Sequence, residues 1–366
     1  MTNLMAAEAA PKLEAIRADF PILQREVKGH HLAYLDNAAS SQRPRQVLET
    51  IQAFYTTYNA NIHRSPHRLG QEATELYEGA RRRLAGYLNA ASEREVIFTR
   101  GTTEAINLVA NSYLRPKLAP GDVILVSRME HHANIVPWQM LRDATGAELQ
   151  VIPINERGEL LLDELEGMLS ERVKLLGIVH VSNALGTVNP VAEVCRMAKK
   201  YDIPVLVDGA QALPHLRVDV QELGCAFYCC SAHKVYGPTG IGALWAREQT
   251  LEAMPPWQGG GEMIERVTFE KTTYADLPHK FEAGTPNICG GIAFGAALDY
   301  LNGIGMDEIA KYETELLAYA TAELLKIEGL QIYGRAERKT SVISFNLKDV
   351  HTYDVGTILD KLGIAV

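Results

Sequence analysis

The chain has 366 residues, 47% of them apolar and 22% charged, which is an ordinary globular composition with room for more than one core. A formal charge of −9 argues against nucleic acid or an anionic membrane as the main partner. No apolar stretch is long enough to span a bilayer, and residues 1–20 carry acids rather than a basic leader, so a secreted or membrane protein is not expected. Five cysteines (195, 225, 229, 230, 289) show neither metal spacing nor an even disulfide framework, and the reading is of packing thiols in a reducing cytoplasm.

In chain order, short apolar runs at 95–100, 122–128, 149–154, 173–182, 203–209 and 225–232 alternate with segments whose apolar residues recur at helical intervals. Continuous apolar strands separated by helices predict an α/β protein with a mostly parallel sheet covered on both faces. In such sheets ligands sit beyond the carboxyl ends of the strands, so the residues that follow each run are the ones to question.

After the first run comes Gly101-Thr102-Thr103-Glu104, which serves equally as a helix N-cap or as a seat for phosphate. After the second comes Glu130-His131-His132. An imidazole there can stack on a ring while carrying a proton, or it can make an ordinary hydrogen bond. A zinc site at this pair lacks a third ligand with recognisable spacing. Asn183 follows the fourth run. Asp208 ends the fifth, where a carboxylate is costly without a partner; a cap, a salt bridge or an ion pair to the nitrogen of a pyridoxal ring would each satisfy it. Gln211, three residues on, could reach that ring's phenolic oxygen. Ser231-Ala232-His233-Lys234 closes the sixth run. A lysine held in a partly desolvated site can bond a carbonyl carbon, and Ser231 and His233 can hold an anion, so a phosphate-bearing aldehyde cofactor would use all three. From about residue 295 a long helical pattern, a strand at 340–347, a helix at 352–363 and a further strand start predict a smaller α/β domain. The expected division is 31–290 for the large domain, with 1–30 and 291–366 in the small one.

The stretches YLDNAASSQRP (34–44), NIHRSPHRLG (61–70), FTRGTTEAINLVA (98–110), MEHHANIVPWQ (129–139), HVSNALGTVNP (180–190), VLVDGAQA (205–212), SAHKVYGPTGIG (231–242), WQGGGEMI (257–264) and FEAGTPN (281–287) resemble the cysteine desulfurases of iron–sulfur cluster assembly, relatives of selenocysteine lyase. The resemblance implies a fold-type-I, class-V aminotransferase-like enzyme with a seven-stranded large domain and pyridoxal 5'-phosphate as cofactor. Lys234 would bond the cofactor and shuttle the substrate α-proton, Asp208 would pair with the ring nitrogen, and Gln211 with the phenolic oxygen. His131 would stack on the ring and act in proton transfer. Thr102, Thr103, Ser231 and His233 would hold the phosphate, and Thr285 would reach the phosphate of a neighbouring subunit in a homodimer. Asn37, His63 and Asn183 would border the pocket for L-cysteine or L-selenocysteine, and sulfur would pass to an acceptor protein. Such enzymes continue past Gly-Ile-Ala-Val with a segment bearing the nucleophilic cysteine and, later, a carboxylate-binding arginine. The sequence to Val366 contains neither, and Cys289 is the nearest substitute. The expectation is cofactor binding with little sulfide release. Other outcomes of the same fold are an aminotransferase, a kynureninase-like lyase or an inactive dimeric scaffold.

Overall fold

A computed structural model describes residues 13–366. The first part of the 1–30 segment, and most of the stretch read as lacking a leader, lie outside the described residues.

The central sheet has seven strands: β1 (Val96–Thr99), β2 (Val123–Ser127), β3 (Glu148–Ile152), β4 (Val173–Val179), β5 (Val205–Asp208), β6 (Phe227–Ser231) and β7 (Gly242–Ala246). Their spatial order is β1-β7-β6-β5-β4-β2-β3. β2 pairs in parallel with β3 and β4, and β4–β5–β6 continue in parallel, while β7 runs antiparallel to both β6 and β1. The six apolar runs therefore became β1–β6. The residue reading had not singled out β7, although the family resemblance implied a seventh strand. GALWA is five residues long and follows a glycine-proline turn, too short for its period to register.

The inner strands are apolar on both faces because each face carries its own core, whereas the edge strand β3 is half-buried to exposed along most of its length. Cys230, Val205 and Val207 pack on one side, whereas Cys229 and Leu206 pack on the other. Adjacent residues of a strand point to opposite faces, so the Cys229-Cys230 pair is split between the two cores, as its spacing predicts. All five thiols are free and buried.

The helices used below are α1 (Arg45–Ala53), α2 (Arg68–Tyr87), α3 (Thr102–Leu108), α4 (Val136–Thr145), α5 (Val191–Lys199), α6 (Ile288–Ile304), α7 (Met306–Leu324) and α8 (Thr352–Lys361). α6 is apolar nearly all round and lies against α1 and α2, and the domain division expected at residue 291 falls inside it. Arg81 of α2 is fully buried and forks onto Glu282, while Glu282 Oε1 also accepts the Phe98 amide of β1 at 2.7 Å. That pair ties α2, the sheet edge and the GTPN turn together. A hairpin, β8 (Ile264–Val267) with β9 (Thr272–Tyr274), stands between β7 and α6. Toward the C-terminus, β10 (Leu330–Tyr333) pairs with β11 (Ser344–Leu347), and Ile364–Ala365 runs parallel to Ala33–Tyr34. No helix among the described residues is long and apolar enough to cross a membrane.

Candidate active site

Because β1 and β6 flank the antiparallel β7, they point the same way, and the carboxyl ends of β1, β2, β4, β5 and β6 share one edge of the sheet. They enclose a cavity of about 380 Å³. Its wall contains Thr102, Thr103, His131, Asn183, Asp208, Gln211, Ser231, His233 and Lys234, together with Ala38 and Ala39 of the loop that carries Asn37. A larger surface hollow, about 510 Å³, is lined by Arg94, Glu252, Lys280 and neighbours and holds none of the predicted site residues.

The β1–β6 end of the cavity depends on two close backbone approaches. A side chain at Gly242 would lie 2.3 Å from the Cys230 carbonyl oxygen and 2.6 Å from Gly101 Cα. Gly101 itself has φ +148°, which L side chains seldom adopt. With both glycines in place, the Thr102 amide donates to Ser231 Oγ at 2.8 Å, and the two hydroxyls lie 2.8 Å apart. Two hydroxyls at a helix start, with exposed Thr103 beside them, form a seat for phosphate oxygens.

Lys234 and Asp208 supply the charges. Burial lowers the Lys234 amine below its usual value, and only the Asp208 charge opposes that shift. Burial also raises the Asp208 carboxyl, against the Ala210 amide (3.0 Å), Lys234 and His131. A carboxylate 3% exposed with one backbone donor has acceptor capacity left for a cation. Gln211 Nε2 lies 3.4 Å from His215 Nε2, and His215 Nδ1 meets Glu313 of α7 at 2.9 Å. Gln211 Oε1 is buried without a partner.

His131 accepts the Ala133 amide at Nδ1, 3.1 Å away, which leaves the neutral ring its proton on Nε2. Burial and the Lys234 charge lower its pKa, so the ring is a neutral N–H donor. Beneath it, buried Glu130 receives Ser127 Oγ, Asn134 Nδ2 (2.7 Å) and the Val179 amide (2.8 Å). Desolvation outweighs these donors and raises the carboxyl to about 8. Glu130 thus pins the His131 loop to the end of β4. Its place after an apolar run was visible in the sequence, but its role was not.

Ser40 and Ser41 were also missed. Their hydroxyls donate to the His233 carbonyl at 3.3 and 3.0 Å, and Ser41 Oγ accepts the Tyr236 amide at 2.9 Å. They clamp the 36–41 loop onto the lysine turn across more than 190 residues of sequence. Asn37 is exposed and donates to the Tyr34 carbonyl at 3.2 Å, next to the wall residues. Thr285 is exposed and lies off this cavity wall. His63 is not among the residues that line the cavity. Its backbone has φ +64°, and its Nε2 lies 2.9 Å from Glu78 of α2.

The cysteine nearest in sequence to serve as a substitute nucleophile, though not a favoured candidate for that role, is badly placed. Cys289 is 8% exposed and absent from the cavity wall, and burial raises its thiol. Cys195 and Cys230 are pushed up to about 12, and Cys225 and Cys229 are also raised by burial.

These residues fit pyridoxal 5'-phosphate. The Lys234 amine, lowered by burial, could bond the aldehyde, the buried Asp208 carboxyl could meet the ring nitrogen, the unpartnered Gln211 oxygen is free for the ring oxygen, and the paired hydroxyls could take the phosphate. Comparison with known proteins agrees. Residues 33–366 match the family model described as Aminotransferase class-V. A probable cysteine desulfurase of Xylella fastidiosa is 52% identical over 361 residues, 99% of this chain and 86% of the relative. A cysteine desulfurase of Cronobacter sakazakii is 54% identical over 355 residues, 97% and 87% of the two chains. Among solved structures, a cysteine desulfurase of Escherichia coli superimposes with TM-score 0.88 at 40% identity, covering 96% of this chain and 86% of the other. The apo cysteine desulfurase of Thermococcus onnurineus does so with TM-score 0.91 at 37% identity and the same coverage.

Proposed function

Since the chain belongs to the cysteine desulfurases of the class-V aminotransferase family, we propose that it converts L-cysteine to L-alanine and delivers the sulfur to a thiol. Pyridoxal phosphate, when bound, supplies the electron sink that lowers the barrier to removing an amino acid's α-proton. The chain's residues do the rest. Asp208 would hold the ring nitrogen in its protonated form, and Gln211 would contact the ring oxygen. Thr102, Thr103, Ser231 and His233 hold the phosphate. Lys234, whose amine is lowered by burial, would bond the cofactor's aldehyde carbon and, once displaced, would take the substrate's α-proton. His131 would face the ring and offer its Nε2 proton. Asn183 and the 37–39 loop border the substrate.

The sulfur step breaks the substrate C–S bond, forms an S–S bond to the acceptor thiolate, and returns a proton to the product carbon. The five cysteines are buried with raised thiols, so the acceptor is a thiol other than these. Sulfur supply to iron–sulfur assembly, L-selenocysteine as a second substrate and a cytoplasmic homodimer in which exposed Thr285 meets the neighbour's phosphate belong to the same proposal.

The observation that carries it is one cavity uniting a lysine of lowered pKa, a carboxylate with a single backbone donor and an unpartnered glutamine oxygen. Borohydride reduction of the cofactor-loaded protein should leave a pyridoxyl group on Lys234. A separate, unreduced sample given L-cysteine and an added thiol should yield alanine. An unmodified Lys234, or an oxo acid in place of alanine, refutes the reading, the second outcome in favour of an aminotransferase.

A further inference from the structure

We infer that His63, Glu78 and His279 form a binding site for a divalent transition metal ion of the zinc type, apart from the cofactor cavity. One ligand atom from each of the three lies within 4.8 Å of the others. They come from three separate segments: the loop before α2, α2 itself, and the short turn His279–Phe281 that follows the hairpin. None of the three lines the cofactor cavity. Two imidazole nitrogens and one carboxylate oxygen are a donor set suited to zinc, with a fourth position left for water.

Contacts around the three residues orient them as metal ligands are oriented. His63 Nδ1 lies 3.5 Å from Glu262 Oε2, while Nε2 points to Glu78 Oε1 at 2.9 Å. A carboxylate on one ring nitrogen directs the lone pair of the other toward a metal. Glu78 is steadied from behind: Arg81 Nε donates to its Oε2 at 2.8 Å, and Arg81 Nη2 reaches Oε1 at 3.2 Å. The His279 ring stands 4.5 Å from the His63 ring, inclined at 60°. Glu78 and Glu282 share the buried guanidinium of Arg81, and a third carboxylate, Glu262, lies between His63 and the half-exposed Arg64. That surplus of negative charge welcomes a cation.

The backbone supports the same reading. His63 (φ +64°) and Glu262 (φ +65°) both occupy the left-handed region, which is costly for side-chain-bearing residues unless their surroundings impose it. Those two conformations bring the two side chains together. With the ion in place, the 61–67 loop, α2 and the base of the hairpin are joined at one point.

The test uses the untagged, cofactor-loaded chain and zinc ion, titrated against a chromophoric chelator. One zinc per chain should bind, with nitrogen and oxygen neighbours at about 2.0–2.1 Å by X-ray absorption. His279→Ala and Glu78→Gln should each weaken binding at least 100-fold. Glu262→Gln, which touches no ion, should weaken it roughly 10- to 100-fold through the His63 ring. A His30→Ala/His31→Ala double variant, which removes an exposed histidine pair, should bind as the wild type does. Circular dichroism identifies any variant that fails to fold, and His279→Gln then replaces it. No zinc bound in the wild type, or equal affinity in the folded His279 and Glu78 variants, overturns the inference and leaves a plain ion-pair cluster.

Discussion

Asp208→Asn separates what the carboxylate costs the cofactor-free protein from what it contributes to the loaded one. Asp208 is 3% exposed and has one amide donor, and burial raises its carboxyl above the usual range. The folded state therefore holds this proton more tightly than the unfolded chain does. The stability the group contributes is intact below the ordinary carboxylate pKa and is lost as pH rises through the raised value. Asparagine keeps the shape without that loss, so the cofactor-free variant should melt above the wild type at neutral pH, with the gap closing in acid. With cofactor the order reverses. A charge-assisted hydrogen bond to a ring nitrogen is worth about 1.5–3 kcal/mol, or roughly 10- to 150-fold in the cofactor dissociation constant at 1.4 kcal/mol per decade. Thermal melts with and without pyridoxal phosphate, beside a fluorescence titration of the cofactor, read both effects. A cofactor-free variant that melts below the wild type while binding cofactor equally well would show that Asp208 is a structural residue.

Three further outcomes follow from buried groups. Glu130 is raised from an ordinary 4.5 to about 8, so the stability it contributes is full below 4.5 and is lost as pH climbs toward 8. Glu130→Gln should flatten the melting temperature across that window, and an unchanged slope counts against a protonated Glu130. Arg81 (0% exposed) and Glu282 (6%) form a buried pair, so Arg81→Ala should lower the unfolding free energy by about 3–5 kcal/mol in denaturant melts; a loss under about 1 kcal/mol would mean the site relaxes. Cys289→Ser should leave alanine formation with an added thiol unchanged, and a large fall would return Cys289 to the chemistry.

The sheet was legible where burial on both faces makes a strand continuously apolar, as in β2 and β5. β7 escaped because its five residues merge with a glycine turn. The cavity wall was legible for a related reason: a parallel sheet gathers the residues after its strands at one edge, so Thr102, His131, Asp208 and Lys234 could be chosen by position alone. Ser40 and Ser41 could not, since their hydroxyls act on the His233 carbonyl more than 190 residues away and nothing in their own neighbourhood signals it. His63 lies off the cavity wall of the single chain, with φ +64° and its ring on Glu78. No local pattern marks a histidine for φ +64°.

Asp208 on the cavity wall and Glu130 behind it are two buried carboxyls with different hydrogen-bond partners. Each charge makes the other more costly, and the Asp208 charge is among the causes that raise Glu130. Glu130 has Ser127 Oγ beside it, a hydroxyl able to accept its proton as well as to donate, so the acid can sit neutral while it holds the Val179 amide and Asn134. Asp208 has no such hydroxyl among its hydrogen-bond partners, only the Ala210 amide, and it faces the Lys234 amine. Of the two, Asp208 gains more from an incoming ring cation, because that cation fills an acceptor position the protein leaves open. Glu130 thus has its oxygens occupied by the Ser127, Asn134 and Val179 donors that fix the His131 loop, whereas Asp208 keeps acceptor capacity that a ring cation would use.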